Sequence, residues 1–196
     1  MDVPPQQVPV FSAQRLHLHV SGSVNAALVP HWLNWLRVYY PELGVSLSVS
    51  RSALRFVTID SLRLLASGPV WIDTWEAADV PSGVHNGLDK EVECFGVFPA
   101  TLNTTMRLAA GLCDSPMLMA LQLTHQPIAI AASFPGTNSL IDRRIQELTQ
   151  RDNIVFTRQV PAYNVSQGEW KSGTGFFMPF LLEALEAKLN PARSVG

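Results

Sequence analysis

The chain has 196 residues, of which 47% are hydrophobic and 15% are charged, and its formal net charge at pH 7 is −2. This length is sufficient for one domain with a sizeable core. The charged fraction lies below the roughly 25% of average globular proteins, so we expect part of the surface to be buried in an oligomer. The chain has no basic run, which argues against nucleic acid as its partner.

The cysteines and the first residues indicate the cellular compartment. Cys94 and Cys113 lack the spacing of metal ligands and are expected to be reduced thiols, so no metal site is predicted. The first residues contain neither the basic region nor the apolar region of a signal peptide. No apolar run reaches the roughly 18 residues of a membrane-spanning helix. The sequence therefore predicts a cytoplasmic protein without a membrane partner.

Strand-like and helix-like segments alternate along the chain. Residues 1–14 are rich in Pro and Gln and are predicted to form a flexible arm, followed by a single domain over residues 15–196. Strands are predicted over residues 16–20, 45–49, 94–98, 127–132 and 154–156, and helices over residues 27–36, 60–66, 104–110, 116–123, 140–148 and 180–189. The alternation predicts an α/β fold, a Rossmann-like (flavodoxin-like) doubly wound parallel sheet with helices on both faces.

Hydroxyl-rich loops follow the first two predicted strands. Ser21, Gly22 and Ser23 precede the first helix, and Ser50 opens the second loop. Free backbone N–H groups and the helix dipole both favour an anion at a helix N-terminus, so the two loops together would suit one phosphate. The full Gly-x-Gly-x-x-Gly fingerprint is missing. An ordinary strand-to-helix turn with Ser or Asn caps is the alternative interpretation.

A third turn follows the predicted strand 94–98. Pro99 breaks the apolar run, and a short polar segment leads to Asn103, which opens a helix. In open α/β sheets, ligands bind at such strand ends. A role of Asn103 as an ordinary N-cap is the alternative.

Three further features of the sequence are not explained by the alternation of strands and helices. Residues 67–93 are poorly periodic and contain His85, and long irregular segments in compact domains are often functional. Residues 157–178 are polar, aromatic and Gly-rich, which predicts a lid or an exposed hairpin. His17 and His19 alternate along the first strand, where structural or surface roles are expected.

Three motifs occur in an order that is typical of one enzyme family. Residues 99–104, Pro-Ala-Thr-Leu-Asn-Thr, are similar to a Pro-Ala-Ser-Ala-Asn-Thr motif, and His85 lies 14 positions before Pro99 (99 − 85 = 14). Residues 134–138 stand where that family has Pro-x-Met-Asn. Over residues 15–190 the chain resembles the homo-oligomeric flavin-containing cysteine decarboxylases. These include the lantibiotic peptidyl-cysteine decarboxylases of the epidermin and mersacidin types and phosphopantothenoylcysteine decarboxylase.

The chain departs from the family pattern in the third motif. Thr137 replaces the family's methionine, and Leu140 and Ile141 occupy the place of its Met-Trp pair. These departures argue more against the pantothenate enzyme than against the peptide-modifying branch.

The resemblance implies roles for individual residues. His85 would take the proton of the substrate thiol, and Asn103 would hold the substrate carboxylate. The implied substrate-binding residues are Thr137, Asn138, Trp170 and Lys171, of which the last two belong to a substrate-binding lid or clamp over residues 157–178. The implied cofactor-binding residues are Ser21, Gly22, Ser23, Ser50, Pro99, Ala100, Thr101 and Thr104.

The resemblance also implies the reaction and the partners. Flavin-dependent oxidation of the C-terminal cysteine of a ribosomally made precursor peptide, with loss of carbon dioxide, would give an enethiol for aminovinyl-cysteine formation. The implied cofactor is FMN, with FAD as the alternative, and the implied assembly is a homotrimer or a homododecamer. The alternative functions are phosphopantothenoylcysteine decarboxylation, a flavin-binding regulatory role without catalysis on the same fold, and flavin prenylation on a related fold.

Overall fold

The computed structural model describes residues 8–76, 91–134, 136–164 and 168–191. Its strands are β1 (Arg15–Val20), β2 (Gly44–Val49), β3 (Val70–Ile72), β4 (Cys94–Ala100), β5 (Ile128–Ala132), β6 (Ile154–Phe156), β7 (Val160–Asn164) and β8 (Glu169–Thr174). Its α-helices are α1 (Val29–Tyr39), α2 (Ile59–Leu65), α3 (Leu102–Ala109), α4 (Pro116–Leu123), α5 (Ser139–Leu148) and α6 (Met178–Leu189). None of the helices in these ranges is both long and apolar enough to cross a bilayer.

Six strands form one parallel sheet in the order β3-β2-β1-β4-β5-β6. The chain moves outward from β1 on one side and resumes at β4 on the other. The strand order therefore reverses between β1 and β4, and loops diverge there at the carboxyl ends of the two strands. The predicted doubly wound α/β fold is confirmed.

Two apolar layers cover the sheet, one on each face. On one face, side chains of α1 and α6 such as Trp32 and Leu181 pack on Leu18 of β1. On the other face, side chains of α3 and α4 such as Leu108 and Leu118 are packed in a second cluster. This two-sided burial explains why the central strands are apolar along most of their length.

The short strand β3 was not expected from the sequence. It has three residues, one of which is the almost fully buried Trp71. A three-residue strand is too short to show an alternating pattern. The strand nevertheless matters, because it brings Asp73 to the same edge of the sheet as the other strand ends.

Strand β4 continues beyond the point at which the sequence predicts its end. It runs through Pro99 to Ala100, and the Phe98–Pro99 peptide bond is cis. The register between β4 and β5 shifts between Val97 and Ala100, so proline lies at an irregularity of the ladder, where its missing N–H is tolerated.

The N-caps of two helices differ from the prediction by one or two residues. Thr101 caps α3, because its hydroxyl accepts the N–H of Thr104, so the alternative that Asn103 is the N-cap is wrong. Asn138 caps α5 in place of the predicted Ser139. Helix α1 begins at Val29 after a 3-10 turn, with proline in its first turn, as Pro30 in the predicted helix suggested.

The described part of the predicted N-terminal arm lies against the domain. The backbone N–H and the hydroxyl of Ser12 both donate to Glu186 at 2.8 Å. The Tyr40 hydroxyl donates to the Pro9 carbonyl at 2.5 Å, and the Phe11 ring packs edge-on against the Tyr40 ring. These contacts anchor residues 9–12, whereas residues 1–7 lie outside the described part of the chain.

An antiparallel hairpin, β7 and β8, occupies most of the predicted segment 157–178. Its base is attached to the sheet, since the Gly175 N–H donates to the Ala132 carbonyl at 2.7 Å and the Thr157 hydroxyl donates to the Gly175 carbonyl at 2.9 Å. The prediction of a hairpin is confirmed, and its role as a substrate lid stays a prediction.

Candidate active site

A cavity of about 280 Å³ opens at the carboxyl ends of β1 to β4, where the strand order reverses. Its walls combine hydroxyl, amide and charged side chains with one apolar residue. The lining residues are His19, Gly22, Ser50, Ser52, Asp73, Thr101, Asn103, Thr104, Arg107 and Leu118. Five of them were predicted as site residues from the sequence, namely Gly22, Ser50, Thr101, Asn103 and Thr104.

Ser21 braces the two central strands. Its buried hydroxyl donates to the Pro99 carbonyl at 2.7 Å and accepts the N–H of Thr101 at 2.8 Å. Its own N–H donates to the Pro99 carbonyl at 3.2 Å. Ser21 therefore fixes the loop after β1 to the turn after β4, and these bonds use the hydroxyl that was predicted to contact a phosphate.

Gly22 allows the first two loops to touch. A Cβ atom at this position would lie 2.4 Å from the Ser52 hydroxyl oxygen and 2.9 Å from the Ser52 carbonyl carbon. The Ser50 hydroxyl lies 3.1 Å from the Ser52 hydroxyl and accepts the N–H of Ala53 at 3.2 Å. The loop after β2 therefore carries two neighbouring hydroxyl groups to the cavity, directly beside the loop after β1.

Ser23 faces away from this hydroxyl pair. Its hydroxyl lies 2.9 Å from the hydroxyl of Ser133 and accepts the N–H of Asn25 at 3.3 Å. Ser133 also accepts a hydrogen bond from the Asn25 side-chain amide at 2.8 Å. Ser23 is not among the residues that line the described cavity.

The turn after β4 brings the N-terminus of α3 to the cavity. The hydroxyl groups of Thr101 and Thr104 lie 3.0 Å apart, and both residues line the cavity. The first N–H groups of a helix have no partner within the helix. Pro99 and Ala100 are buried in β4, so they support this turn from beneath and do not line the cavity.

Asn103 and Arg107 lie one turn apart on α3, so both side chains lie on the same side of the helix. Asn103 is exposed to the cavity, and no hydrogen bond occupies its amide within the described residues. Arg107 is paired with Asp114, with 3.1 Å between the guanidinium Nε and the carboxylate. The ion pair with Asp114 holds the partly exposed guanidinium of Arg107 at the cavity wall.

Asp73 and His19 form the deep wall. The Asp73 carboxylate accepts the N–H of Met117 at 2.8 Å, close to the N-terminus of α4. His19 is 3% exposed, and its Nδ1 atom lies 2.9 Å from the Ser48 hydroxyl. Burial lowers the pKa of His19, the Asp73 carboxylate raises it, and Arg107 lowers it, with burial the largest effect.

His17 lies behind His19 on the same strand face. It is fully buried, its ring stacks on Trp71 with 4.7 Å between centroids, and burial holds its pKa well below the usual value, with a smaller effect of His19 in the same direction. The two histidines are therefore buried, which excludes the surface position that the alternation of β1 allowed.

Thr137, Asn138 and Trp170, three of the predicted substrate residues, do not line this cavity within the described structure. Thr137 is exposed, and the exposed Asn138 accepts the N–H groups of Leu140 and Ile141 at 3.0 Å each, which leaves its side-chain nitrogen available. Trp170 is 72% exposed on the hairpin, and Lys171 lies on β8 in register with Ala162. His85 and Pro135 lie outside the described residues.

Sequence reasoning missed five lining residues: His19, Ser52, Asp73, Arg107 and Leu118. Ser52 and Arg107 had a signal, since Ser52 follows Ser50 in the same loop and Arg107 lies four positions after Asn103. Asp73 depended on the unpredicted strand β3. No group of three or more potential metal ligands occurs among the residues with described positions.

The donor set of the cavity fits a phosphate-bearing cofactor. Hydroxyl groups come from the ends of β2 and β4, a helix N-terminus points to the same space, and Arg107 supplies positive charge. The contact between Gly22 and Ser52 leaves no room for a larger residue in the first loop.

Comparison with known proteins agrees with this geometry. The family model described as Flavoprotein matches residues 11–170. The chain belongs to the flavoprotein family. Cypemycin cysteine dehydrogenase (decarboxylating) from Streptomyces sp. is 46% identical over 187 residues, which cover 95% of this chain and 98% of the relative.

Solved structures of flavoprotein-family members show the same fold. The crystal structure of cypemycin decarboxylase superposes with a TM-score of 0.84 at 44% identity and covers 95% of this chain and 99% of that chain. The FMN-dependent cysteine decarboxylase SpaF superposes with a TM-score of 0.72 at 20% identity, over 89% of this chain and 97% of that chain. The resemblance to cysteine decarboxylases that was inferred from the motifs is confirmed.

Proposed function

We propose that this flavoprotein is an FMN-dependent cysteine dehydrogenase (decarboxylating) that acts on the C-terminal cysteine of a precursor peptide. The observation that carries the proposal is the 46% identity to cypemycin cysteine dehydrogenase over nearly the full length of both chains. The cavity supports it independently, because its donors suit a phosphate-bearing cofactor and it lies at the switch point of the sheet.

The cofactor would be held by the loops after β1, β2 and β4. Gly22, Ser50 and Ser52 would contact it from one side, and Thr101 and Thr104 from the N-terminus of α3. Ser21 fixes the loop after β1 to the turn after β4, and Ser23 ties the first loop to Ser133, directly after β5. When bound, FMN supplies the two-electron oxidation.

Asn103 would hold the substrate carboxylate next to the cofactor. Its amide is exposed to the cavity and is not needed as a helix cap, because Thr101 fills that position. A neutral amide donor binds a carboxylate without opposing its loss as neutral carbon dioxide, whereas a fixed cation would favour the charged ground state. The ion pair of Arg107 with Asp114 weakens the field of this cation and limits the effect at the same wall.

His85 would take the thiol proton of the cysteine, a role that a neutral imidazole performs near neutral pH. Thr137, Asn138, Trp170 and Lys171 would bind the peptide, with the β7–β8 hairpin as the lid. Because Thr137, Asn138 and Trp170 do not line the cavity within the described residues, a homotrimer or homododecamer in the cytoplasm, in which a second copy completes the peptide site, is part of the proposal.

An anaerobic titration tests the proposal. The full chain is loaded with FMN, and one equivalent of a peptide ending in cysteine is added while the visible absorbance of the oxidised flavin is recorded. We expect bleaching in proportion to added peptide, and none with the same peptide ending in serine. Bleaching by phosphopantothenoylcysteine alone, or by neither compound, would contradict the proposed substrate.

A further inference from the structure

A continuous chain of hydrogen-bonding groups runs from the half-buried Ser46 to the cavity. The Ser46 hydroxyl lies 2.8 Å from Nδ1 of His17, and Nε2 of the same ring lies 2.9 Å from the Ser48 hydroxyl. The Ser48 hydroxyl lies 2.9 Å from Nδ1 of His19, which lines the cavity. Four side chains on two adjacent strands, β1 and β2, thus form one row.

The far nitrogen of His19 faces the cavity. No hydrogen bond to Nε2 exists within the described residues, although the side chain is almost completely buried. Trp71 Nε1 is the one fully buried side-chain nitrogen or oxygen that lacks a partner in the described structure. Since His19 Nε2 lacks a partner and is not fully buried, it is in contact with the space of the cavity.

The row has two arrangements in which the hydroxyl hydrogen of Ser48 is bonded. If Ser48 donates to His19, His17 donates through Nε2 to Ser48, and His19 carries its hydrogen on Nε2, toward the cavity. If Ser48 donates to His17, both rings carry their hydrogen on Nδ1, and His19 presents a bare nitrogen. A third arrangement, in which both rings donate to Ser48, leaves its hydroxyl hydrogen without an acceptor.

We propose that Ser46, His17, Ser48 and His19 form a proton relay that ends at the bound flavin nucleotide, with His19 Nε2 as the contacting atom. This proposal rests on the proposed function. When His19 gives its Nε2 proton to the bound flavin nucleotide, it receives one at Nδ1 from Ser48, Ser48 receives one from His17 Nε2, and His17 receives one at Nδ1 from Ser46. Ser46 is resupplied by water, so each group gives one proton and receives one.

The surroundings favour neutral rings that shift protons without accumulating charge. Burial is the largest influence on both rings and disfavours the imidazolium form. The charged described groups that act on His19 are Asp73 from the end of β3 and Arg107 from α3, and they oppose each other. The stacked Trp71 ring and the edge-on Phe95 ring both pack against His17.

The test is nuclear magnetic resonance of the full chain with ¹⁵N-labelled histidine, before and after addition of FMN. His17→Gln and His19→Gln assign the signals. Before and after FMN is added, we expect both rings to carry their hydrogen on the same nitrogen, either Nδ1 in both or Nε2 in both. We expect the ¹⁵N signals of both rings to change when FMN is added. In Ser48→Ala, His19 still responds and His17 does not. This coupling is a signature that a merely structural pair would not show.

The failure of the proton relay and the failure of the proposed function give different experimental results. If FMN binds, as judged by quenching of its fluorescence, and the His19 Nε2 signal stays unchanged, the relay is contradicted. Opposite tautomers of the two rings in the unmodified chain contradict it even if Ser48→Ala fails to fold. If FMN does not bind at all, the proposed function itself fails. We further expect His19→Leu to weaken FMN binding roughly tenfold, and His19→Gln less.

Discussion

The hydroxyl of Ser133, at the end of β5, lies 2.9 Å from the hydroxyl of Ser23, on the loop after β1. Ser133 also accepts the Asn25 amide at 2.8 Å, and its N–H donates to the Ala100 carbonyl at 2.8 Å. An isolated β-bridge joins Ser133 to Thr174 in the hairpin. One residue thus connects the proposed cofactor loop, the end of β4 and the base of the proposed lid.

Ser133→Ala removes both side-chain bonds to the first loop while it leaves the backbone bridge in place. Each neutral hydrogen bond contributes about 1 kcal/mol, so we expect FMN affinity to fall roughly fivefold to tenfold. Fluorescence quenching of FMN measures the change. Ser61→Ala is the control, since the Ser61 hydroxyl also donates a hydrogen bond, but to the Thr58 carbonyl at the start of α2 and not to the loop after β1. Equal affinities of both variants would contradict this coupling.

Gly22→Ala tests the contact between the first two loops. The new Cβ would lie 2.4 Å from the Ser52 hydroxyl oxygen, so one loop must move. We expect a loss of about 1–3 kcal/mol in the free energy of unfolding, together with weaker FMN binding. Gly136→Ala is the matched control, because no atom lies within 4 Å of its added Cβ. Denaturant unfolding that is unchanged in Gly22→Ala would refute the crowding argument.

Thr101 and Asn103 have separable roles at the start of α3. Thr101→Ala removes the cap, and we expect a loss of about 1 kcal/mol in the free energy of unfolding. Asn103→Ala leaves the free energy of unfolding unchanged and instead lowers kcat/KM for the peptide by roughly tenfold or more. Chemical denaturation and steady-state kinetics of both variants check this. A destabilised Asn103→Ala with normal turnover would reverse the assignment.

The buried histidines predict a stability that depends on pH. Burial holds the pKa of His17 below its unfolded value, so the ring is neutral in both the folded and the unfolded state only well above about pH 6.5. As pH falls below about 6.5, the unfolded state takes up the proton first, and the free energy of unfolding decreases. Each histidine contributes at most about 1.4 kcal/mol per pH unit.

Denaturant unfolding between pH 7 and pH 5 measures this slope. We expect His17→Gln to lose stability less steeply than the unmodified chain over this range. His31→Gln, at an exposed position on α1, controls for the removal of a histidine. A slope that His17→Gln leaves unchanged would show that His17 is protonated equally in both states.

The alternation of strands and helices was sufficient to predict the doubly wound sheet, because buried parallel strands have apolar runs such as residues 128–132. The family motifs placed Asn103 and Thr104 correctly at the strand end. Thr101 and Asn103 are both good helix caps, however, and the choice between them depends on where β4 ends. That end depends on pairing with β5, which a local pattern does not contain.

The deep wall of the cavity could not be predicted, because it is assembled from distant positions. His19 and Asp73 come from strands that flank β2, and each looks ordinary in its own segment. The tie between Ser23 and Ser133 spans 110 positions. Contacts of this kind follow from the packed fold and leave no periodic signal in the sequence.

The central claim is that the chain oxidises and decarboxylates a C-terminal cysteine. Mass spectrometry of a peptide ending in cysteine, incubated with the FMN-loaded chain in air, tests it most directly. The account predicts a product that lacks one carbon dioxide and two hydrogen atoms, and no change in the same peptide with a C-terminal amide. An unchanged mass, or loss of two hydrogen atoms with the carboxylate retained, would contradict it.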